Sequence, residues 1–292
     1  MLIYLLSRSS ELYSTQRIYQ AGLAGKHNIR VIDYMECDLL IEDGEFKVVY
    51  NHEYLIKPDY VIPRIGSSVT FYGCTVVRHF SMMGAKVLND PQAIINSRDK
   101  FRSLQLMIQG GIRIPRTYFS NDLYYADRIV NQLLGYPFIM KVLEGTQGQG
   151  VFLVHNEDEA EQLFSEHIRK QTRVILQEFI SEFKGKDIRV IVINGEIIAT
   201  MMRVAQEGEF RSNIHRGGVG IEVELTDEEK EMAIKSLDIL GLKMAGVDLM
   251  RSNQGPMLIE VNSSPGLQGI EGTTKIQIAE RLIEYLENSV DL

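Results

Sequence analysis

The stretch Met244–Gly266, MAGVDLMRSNQGPMLIEVNSSPG, constrains the chain more than any other. Two apolar, strand-like runs flank the turn cluster Ser252-Asn253-Gln254-Gly255-Pro256. A hairpin turning near Gln254 sets Asp248 opposite Glu260, and Glu260 and Asn262, two apart, share a face. A carboxylate in an apolar strand is costly unless something compensates it. Three oxygen-bearing side chains with no His or Cys among them suit Mg²⁺ or Mn²⁺. Two readings stand at this point: a divalent-metal site, or a surface hairpin whose polar face holds acids.

The rest of the chain supplies the context. Met1–Leu6 reads as a strand, Leu12–Gly25 as a helix, Ile29–Asp33 as a second strand, and Val48–Tyr50 and Tyr60–Pro63 as short extended pieces. Helical spacing over Val69–Gly84 precedes a strand at Ala85–Asn89. This alternation predicts a small parallel sheet with helices on both faces. No G-x-G-x-x-G follows the first strand, so this part reads as a scaffold or substrate-side domain rather than a dinucleotide domain.

Pro91–Gly110 carries one or two helices. Lys100 lies near a helix start, where the dipole disfavours a cation. Asp122–Leu134 reads as a helix stopped by Gly135. The strand Tyr136–Leu143 has Lys141 in its middle, where a lysine either snorkels or meets an anion. Glu144–Gly150, EGTQGQG, then separates it from the strand Val151–Val154. The Walker pattern G-x-x-x-x-G-K-[ST] is absent, which excludes a P-loop NTPase. Three glycines between strands make a flap whose backbone N–H groups could close over phosphates.

Glu157–Arg169 reads as a helix and Arg173–Ile180 as a strand. Ile188–Ile193 and Glu196–Arg203 form a hairpin across Asn194-Gly195, a type I′ signal. Phe210–Gly220, FRSNIHRGGVG, reads as a polar loop. Asp227–Leu240 is a helix opened by a capping box of Thr226 and Glu229, and Thr273–Asn288 is a closing amphipathic helix.

Composition narrows the function classes. A 292-residue chain with 45% hydrophobic and 24% charged residues can bury a sizeable core. No window reaches the ~18–20 apolar residues of a membrane span, and Met1–Leu6 is too short for a signal peptide. Cys37 and Cys74 match no metal or redox spacing, so the expectation is a cytoplasmic protein with reduced thiols. The net charge of −8 speaks against a direct nucleic-acid site. Lys184, Lys186, Arg189, Arg203, Arg211, His215 and Arg216 nevertheless concentrate cations between Lys184 and Gly218, either a focused anion site or a solvated face. No H-E-x-x-H, H-R-D or D-F-G pattern is present. An oxygen-only metal site, two lysines, a glycine flap and an arginine-rich loop are together what a metal-bound nucleoside triphosphate uses.

The order of these pieces resembles the ATP-grasp superfamily of carboxylate–amine ligases. Within it, the chain is similar to the RimK-like alpha-L-glutamate ligases. The stretches VIPRIGSSVTFYG, SRDKFRS, KVLEGTQGQGV, LQEFI, DIRVIV, EGEFRSNIHRGG, AGVDLMR and EVNSSPGLQGIE carry the resemblance over essentially the whole chain. EGTQGQGV and FRSNIHRGG are specific to that branch, whereas D…E-x-N marks only the superfamily.

The resemblance implies an ATP-grasp fold of α/β class, α+β in the C-terminal half, behind a small parallel-sheet domain. Its divisions would be an N-terminal domain over 1–99, a central subdomain with the glycine lid over 100–175, and a C-terminal subdomain with the metal site over 176–292. It implies Lys100 and Lys141 on the ATP phosphates, with Gly145, Gly148 and Gly150 as the lid. Glu178 and Phe179 would hold adenine, with Asp187 on the ribose side. Arg211, Ser212 and Asn213 would sit at the nucleotide, with Arg211 and Asn213 also at the reacting centre. Arg203 would stabilise the transferred phosphoryl group, and Asp248, Glu260 and Asn262 would hold two Mg²⁺ or Mn²⁺ ions with Glu260 bridging. His215 has a place near the substrate or a structural role. The implied partners are L-glutamate and a protein or peptide C-terminus, foremost a small-subunit ribosomal protein. One glutamate or a chain of them would be added, and a homo-oligomer is compatible with the chain. The alternatives are a related ligase acting on a lysine-biosynthesis carrier protein or a cofactor, and a nucleotide-binding regulator without activity.

Overall fold

The protein is described here from a computed structural model, covering residues 1–124, 126–143, 150–212 and 217–290. Among these residues the strands form four sheets. The first is parallel, in the order Asn28–Ile32, Leu2–Leu6, Tyr60–Pro63, Lys86–Val87, and carries the predicted flanking helices Tyr13–Ala24 and Thr70–Met82. Beside it lies a three-stranded antiparallel meander, Cys37–Glu42, Glu45–Tyr50 and Glu53–Leu55. The sequence reading recovered only Val48–Tyr50 of this meander. Its outer strands alternate poorly, and its buried side chains Cys37, Val48 and Leu55 join a core completed by distant Tyr4, Val61 and Phe80.

Pro91–Gly110 resolves into two helices, Pro91–Arg98 and Lys100–Gln109, each with an aspartate N-cap (Asp90 and Asp99) accepting from the backbone. The second helix reaches towards the C-terminal half: Met107 and Ile112 share a core with Met232, Leu237 and Val247. The central antiparallel sheet runs Val151–Val154, Phe138–Val142, Val174–Glu178, Thr117–Phe119 and packs on the helix Glu157–Arg169. The helix expected over Asp122–Leu134 instead starts at Ala126 and becomes a π-helix over Val130–Leu134. Upstream, Ser120 Oγ accepts from Asp122 N at 3.1 Å and Asp122 Oδ1 from Tyr124 N at 2.8 Å. These local turns satisfy backbone groups that a helix would otherwise use.

The third large sheet is antiparallel, in the order Val219–Glu222, Glu196–Val204, Lys186–Ile193, Met244–Ser252, Gly255–Asn262. Asn194 and Gly195 form the tight turn with φ 47° and 79°. Val219–Glu222 corrects the sequence reading, which left Val219 and Gly220 in a loop. The edge strand exists through its pairing with Met201–Val204, a contact no local pattern encodes. Period-two alternation divides this sheet into two faces. Ile188, Val190, Val192, Ala245, Val247 and Leu249 pack under the helix Asp227–Leu240, whose capping box is present as expected. The opposite face begins apolar, with Ile191, Ile193, Ala199, Met201 and Met244 packing on Ile3, Leu5 and the last helix, Ile278–Val290. It then turns ionic along the same strands, at Asp187, Arg189, Arg203 and Asp248. The N-terminal sheet and the C-terminal sheet therefore share one core, and that core ends where the charges begin.

Candidate active site

The hairpin Met244–Asn262 forms as its sequence requires, with Asp248 paired opposite Glu260 and a bulge between Asp248 and Leu249. Glu260 is exposed and accepts from Asn262 Nδ2 at 2.9 Å. Asp248 is 2% exposed and its carboxylate is spent on two guanidiniums. Arg189 takes both its oxygens, the Nη2–Oδ2 bond being 2.6 Å, and Arg203 Nη2 donates to Oδ2 at 2.8 Å. Arg203 also forks onto Asp187 at 2.5 and 2.8 Å, and Ser212 Oγ donates to Asp187 Oδ2. Gly246 makes room for this arrangement. A Cβ there would lie 2.8 Å from Pro265 Cβ and 3.2 Å from Arg189 Cδ.

The four charges balance, as buried ions must. Burial pushes the Asp187 carboxyl up, and the neighbouring Asp248 charge adds to that push against Arg203. Burial acts on Asp248 in the same direction, but Arg189 and Arg203 outweigh it and hold its carboxyl below the ordinary range. Burial opposes the Arg203 charge as well, yet Asp248 and Asp187 raise its proton affinity above the ordinary value.

Two lysines reach the same space from other elements. On Phe138–Val142, Phe138 and Met140 enter the central core, so Lys141 points the other way, where Nζ donates to Gln177 Oε1 at 2.6 Å. Lys100 opens its helix and donates to Leu143 O at 2.8 Å, at the base of the glycine loop. Burial lowers the proton affinity of both, and the Glu260 charge pulls both back up. Arg98 also feels Glu260, so three cations from separate elements lie in the field of this one carboxylate. Gly150 has φ +77°, and a Cβ there would meet Val142 Cβ at 2.9 Å, so only glycine fits this close against the strand.

The structure thus brings Lys100, Lys141, Arg203, Asp248, Glu260 and Asn262 to one region. It places other expected residues differently. Asp187, expected on the ribose side, is 7% exposed with both oxygens engaged inside the ion cluster, and Ser212 is buried against it. Glu178 ends its strand bound bidentately by Arg116 at 2.9 and 3.0 Å, which holds its carboxyl below the ordinary range, with Phe179 half-buried beside it. Arg211 forks onto Glu209 at 3.0 and 2.7 Å, holding that carboxyl down to about 2, and reaches Val151 O at 3.5 Å beside a shallow depression of about 400 Å³. Gly145, Gly148, Asn213 and His215 lie outside the described residues. Sequence reasoning counted Arg189 only among the cations between Lys184 and Gly218, and did not join it to Asp248 or Gln177 to Lys141. Strand alternation was the available signal: Arg189 shares the face of Asp187, and Gln177 lies diagonally across from Lys141.

The fold and the site define an ATP-grasp protein, in which a central and a C-terminal sheet face each other across a charged cleft. Family models match in two blocks, the RimK PreATP-grasp domain over residues 1–94 and the RimK-like ATP-grasp domain over 97–286. The chain belongs to the RimK-like ATP-grasp family and is an ATP-dependent ligase. It is 46% identical over 289 residues to a probable alpha-L-glutamate ligase of Maridesulfovibrio salexigens, covering 99% of this chain and 96% of that one. A probable alpha-L-glutamate ligase of Vibrio vulnificus gives the same identity and coverage. Among solved structures, the ATP-grasp ligase PsnB with a minimal precursor superposes with a TM-score of 0.76 at 21% identity, over 98% of both chains. The macrocyclase MdnC of Microcystis aeruginosa, bound to its precursor peptide MdnA, gives 0.72 at 15% identity, over 98% of this chain and 99% of that one.

Proposed function

We propose that this ligase uses ATP to activate a peptide's C-terminal carboxylate and joins it to the amine of L-glutamate. The observation that carries the reading is the convergence on Glu260: two lysines and an arginine from three elements face a carboxylate and amide pair with open oxygen atoms. Separated charges of both signs around one space suit a metal-bound triphosphate. The full-length probable glutamate ligases support the choice of amino acid, and the precursor peptides bound by PsnB and MdnC support a peptide acceptor.

Each residue then has a task. Lys100 and Lys141 bind phosphate oxygens, and the 144–150 loop closes over them to exclude water. Glu178 and Phe179 border the adenine. Glu260, Asn262 and Asp248 are the residues that would hold Mg²⁺ or Mn²⁺, as two ions. When bound, the metal would offset charge on the transferred phosphoryl group. Arg203, Arg211 and Asn213 stabilise the same group. Asp187 and Ser212 position Arg203. A carboxylate is a poor electrophile, and phosphoryl transfer to it gives an acyl phosphate with a good leaving group. The glutamate amine attacks, the tetrahedral oxyanion collapses, and phosphate departs. No side-chain nucleophile is needed, so catalysis is positioning and charge stabilisation. We place the functional divisions at 1–99, 100–175 and 176–292, the work in the cytoplasm, and the acceptor as a small-subunit ribosomal protein C-terminus that receives one or more glutamates.

The test is direct. With ATP, Mg²⁺ and L-glutamate, a peptide ending in glutamate should gain mass in glutamate steps, with ADP formed in proportion. Glutamate-dependent ADP formation without a glutamylated peptide would move the assignment to another acceptor.

A further inference from the structure

Arg64, Ser263 and Ser264 have no part in the scheme above, and Arg98 enters it only as a cation in the field of Glu260. Arg64 directly follows Tyr60–Pro63, and its N–H donates to Leu6 O at 2.8 Å, so it stands at the carboxyl edge of the parallel sheet. In open α/β sheets that edge is where ligands bind. Arg98 ends the helix Pro91–Arg98. Arg64 Nη2 donates to Pro265 O at 2.7 Å and Arg98 Nη2 to Ile65 O at 2.6 Å, and neither arginine has an ion-pair partner among the described residues. Burial and the nearby Arg98 charge push Arg64 down to about 10, an unusual state for a guanidinium. Arg98 Nε is buried with no acceptor.

Ser263 and Ser264 follow Asn262 directly and precede the carbonyl that Arg64 binds. Both hydroxyls are buried without a partner. Their segment is fixed from the N-terminal side, since Asn89, 0% exposed, donates to Met244 O at 2.9 Å and Ser263 O at 3.2 Å. Orphaned buried polar atoms are rare in folded proteins. Here two orphaned hydroxyls directly precede the Pro265 carbonyl that Arg64 binds, and Arg98, with its orphaned Nε–H, neighbours both Arg64 and Glu260. All four side chains can donate a hydrogen bond, which is complementary to an anion.

We propose that Arg64, Arg98, Ser263 and Ser264 form a subsite for a substrate carboxylate that is not itself activated. This rests on the ligase reading and deepens it. The guanidinium fork matches a planar carboxylate. The carboxylate has two sources, the incoming glutamate or the acceptor's terminal residue. Holding it at the N-terminal sheet, beside the metal ligands, fixes the amine or the reacting carboxyl against the phosphoryl group.

The double variant Ser263→Ala/Ser264→Ala tests this. These hydroxyls bond nothing among the described residues, so a merely structural role predicts an unchanged or higher Tm and unchanged kinetics. The subsite predicts a KM about 10-fold higher or more for one carboxylate substrate, with the KM for ATP unchanged and the Tm not lowered. A rise for glutamate assigns the subsite to the amino acid, and a rise for the peptide assigns it to the acceptor. Arg98→Lys, which keeps the charge but loses the fork, should raise the same KM. Unchanged KM values, or a shift confined to ATP, would overturn the subsite. A wild type that does not ligate glutamate would overturn the ligase reading alone, and the subsite is then read by binding. Glutarate should raise the Tm of the wild type and not that of the double variant. Equal shifts, or no shift in either, would refute it.

Discussion

Replacing Lys141 by methionine should make the unliganded protein more stable and a worse enzyme. The alternation Phe138, Met140 inward and Ile139, Lys141 towards the cleft commits the amine to a partly enclosed site. There it has a hydrogen bond to Gln177 at 2.6 Å, and Gln177 Nε2 in turn donates to Thr117 Oγ1 at 2.9 Å. Burial lowers its proton affinity from the ordinary 10.5, with Glu260 and Asp248 acting in the opposite sense and Lys100 in the same sense. A base whose folded pKa lies below its unfolded value weakens the fold while charged, and the penalty is relieved as pH rises towards 10.5. Methionine keeps the chain length and removes the charge. Losing a poorly satisfied charged donor, offset by the acceptor freed on Gln177, should gain about 1 kcal/mol, or roughly 2 °C in Tm. A charge-assisted bond to phosphate is worth about 2–3 kcal/mol, so the KM for ATP should rise roughly 30- to 150-fold. Thermal unfolding of the unliganded variant at pH 7 and 9, with initial-rate kinetics in ATP, reads both sides. The stability gain should shrink at the higher pH. A variant that unfolds earlier than wild type and keeps its KM for ATP would show that Lys141 is a structural ion.

Two further outcomes follow from the same structure. Glu260→Gln should leave the Tm within about 0.5 kcal/mol of wild type, because the exposed carboxylate is not in the ion cluster, and should lower kcat by about 10² or more. Near-normal turnover would remove Glu260 from the metal site. Glu229, 1% exposed, accepts from Thr226 N at 2.8 Å and from Arg251 at 2.6 and 3.0 Å. Burial raises its pKa, but Arg251 and Thr226 together bring it below the ordinary 4.5. Its stabilisation is therefore present above about pH 4.5 and lost as pH falls through the folded value. Glu229→Gln should cost about 1–2 kcal/mol at pH 7, and urea titrations should show the gap to wild type closing below pH 4.5.

The hairpin was legible because its information is local. Asp248 and Glu260 are brought opposite each other by one turn, and strand alternation decides which face they share. The helices Glu157–Arg169 and Asp227–Leu240 were legible for the same reason, through caps and period. What surrounds Asp248 was not legible. Arg189 and Arg203 precede it by 59 and 45 residues, and their meeting depends on the strand order of the whole sheet. The same holds for Asp187, which the resemblance put on the ribose side, while cross-strand pairing with Arg203 buries it. The orphaned donors at Ser263, Ser264 and Arg98 become visible only when two domains meet. A sequence shows that a polar residue is present, and the absence of a partner is a property of the packed molecule.

The central claim is that the acceptor carboxylate is phosphorylated before the amine attacks. Labelling the terminal carboxylate of the acceptor peptide with ¹⁸O and analysing the released phosphate tests it most directly. The account predicts one labelled oxygen in each phosphate formed, in step with ADP and glutamylated peptide. Unlabelled phosphate alongside full product formation would contradict it.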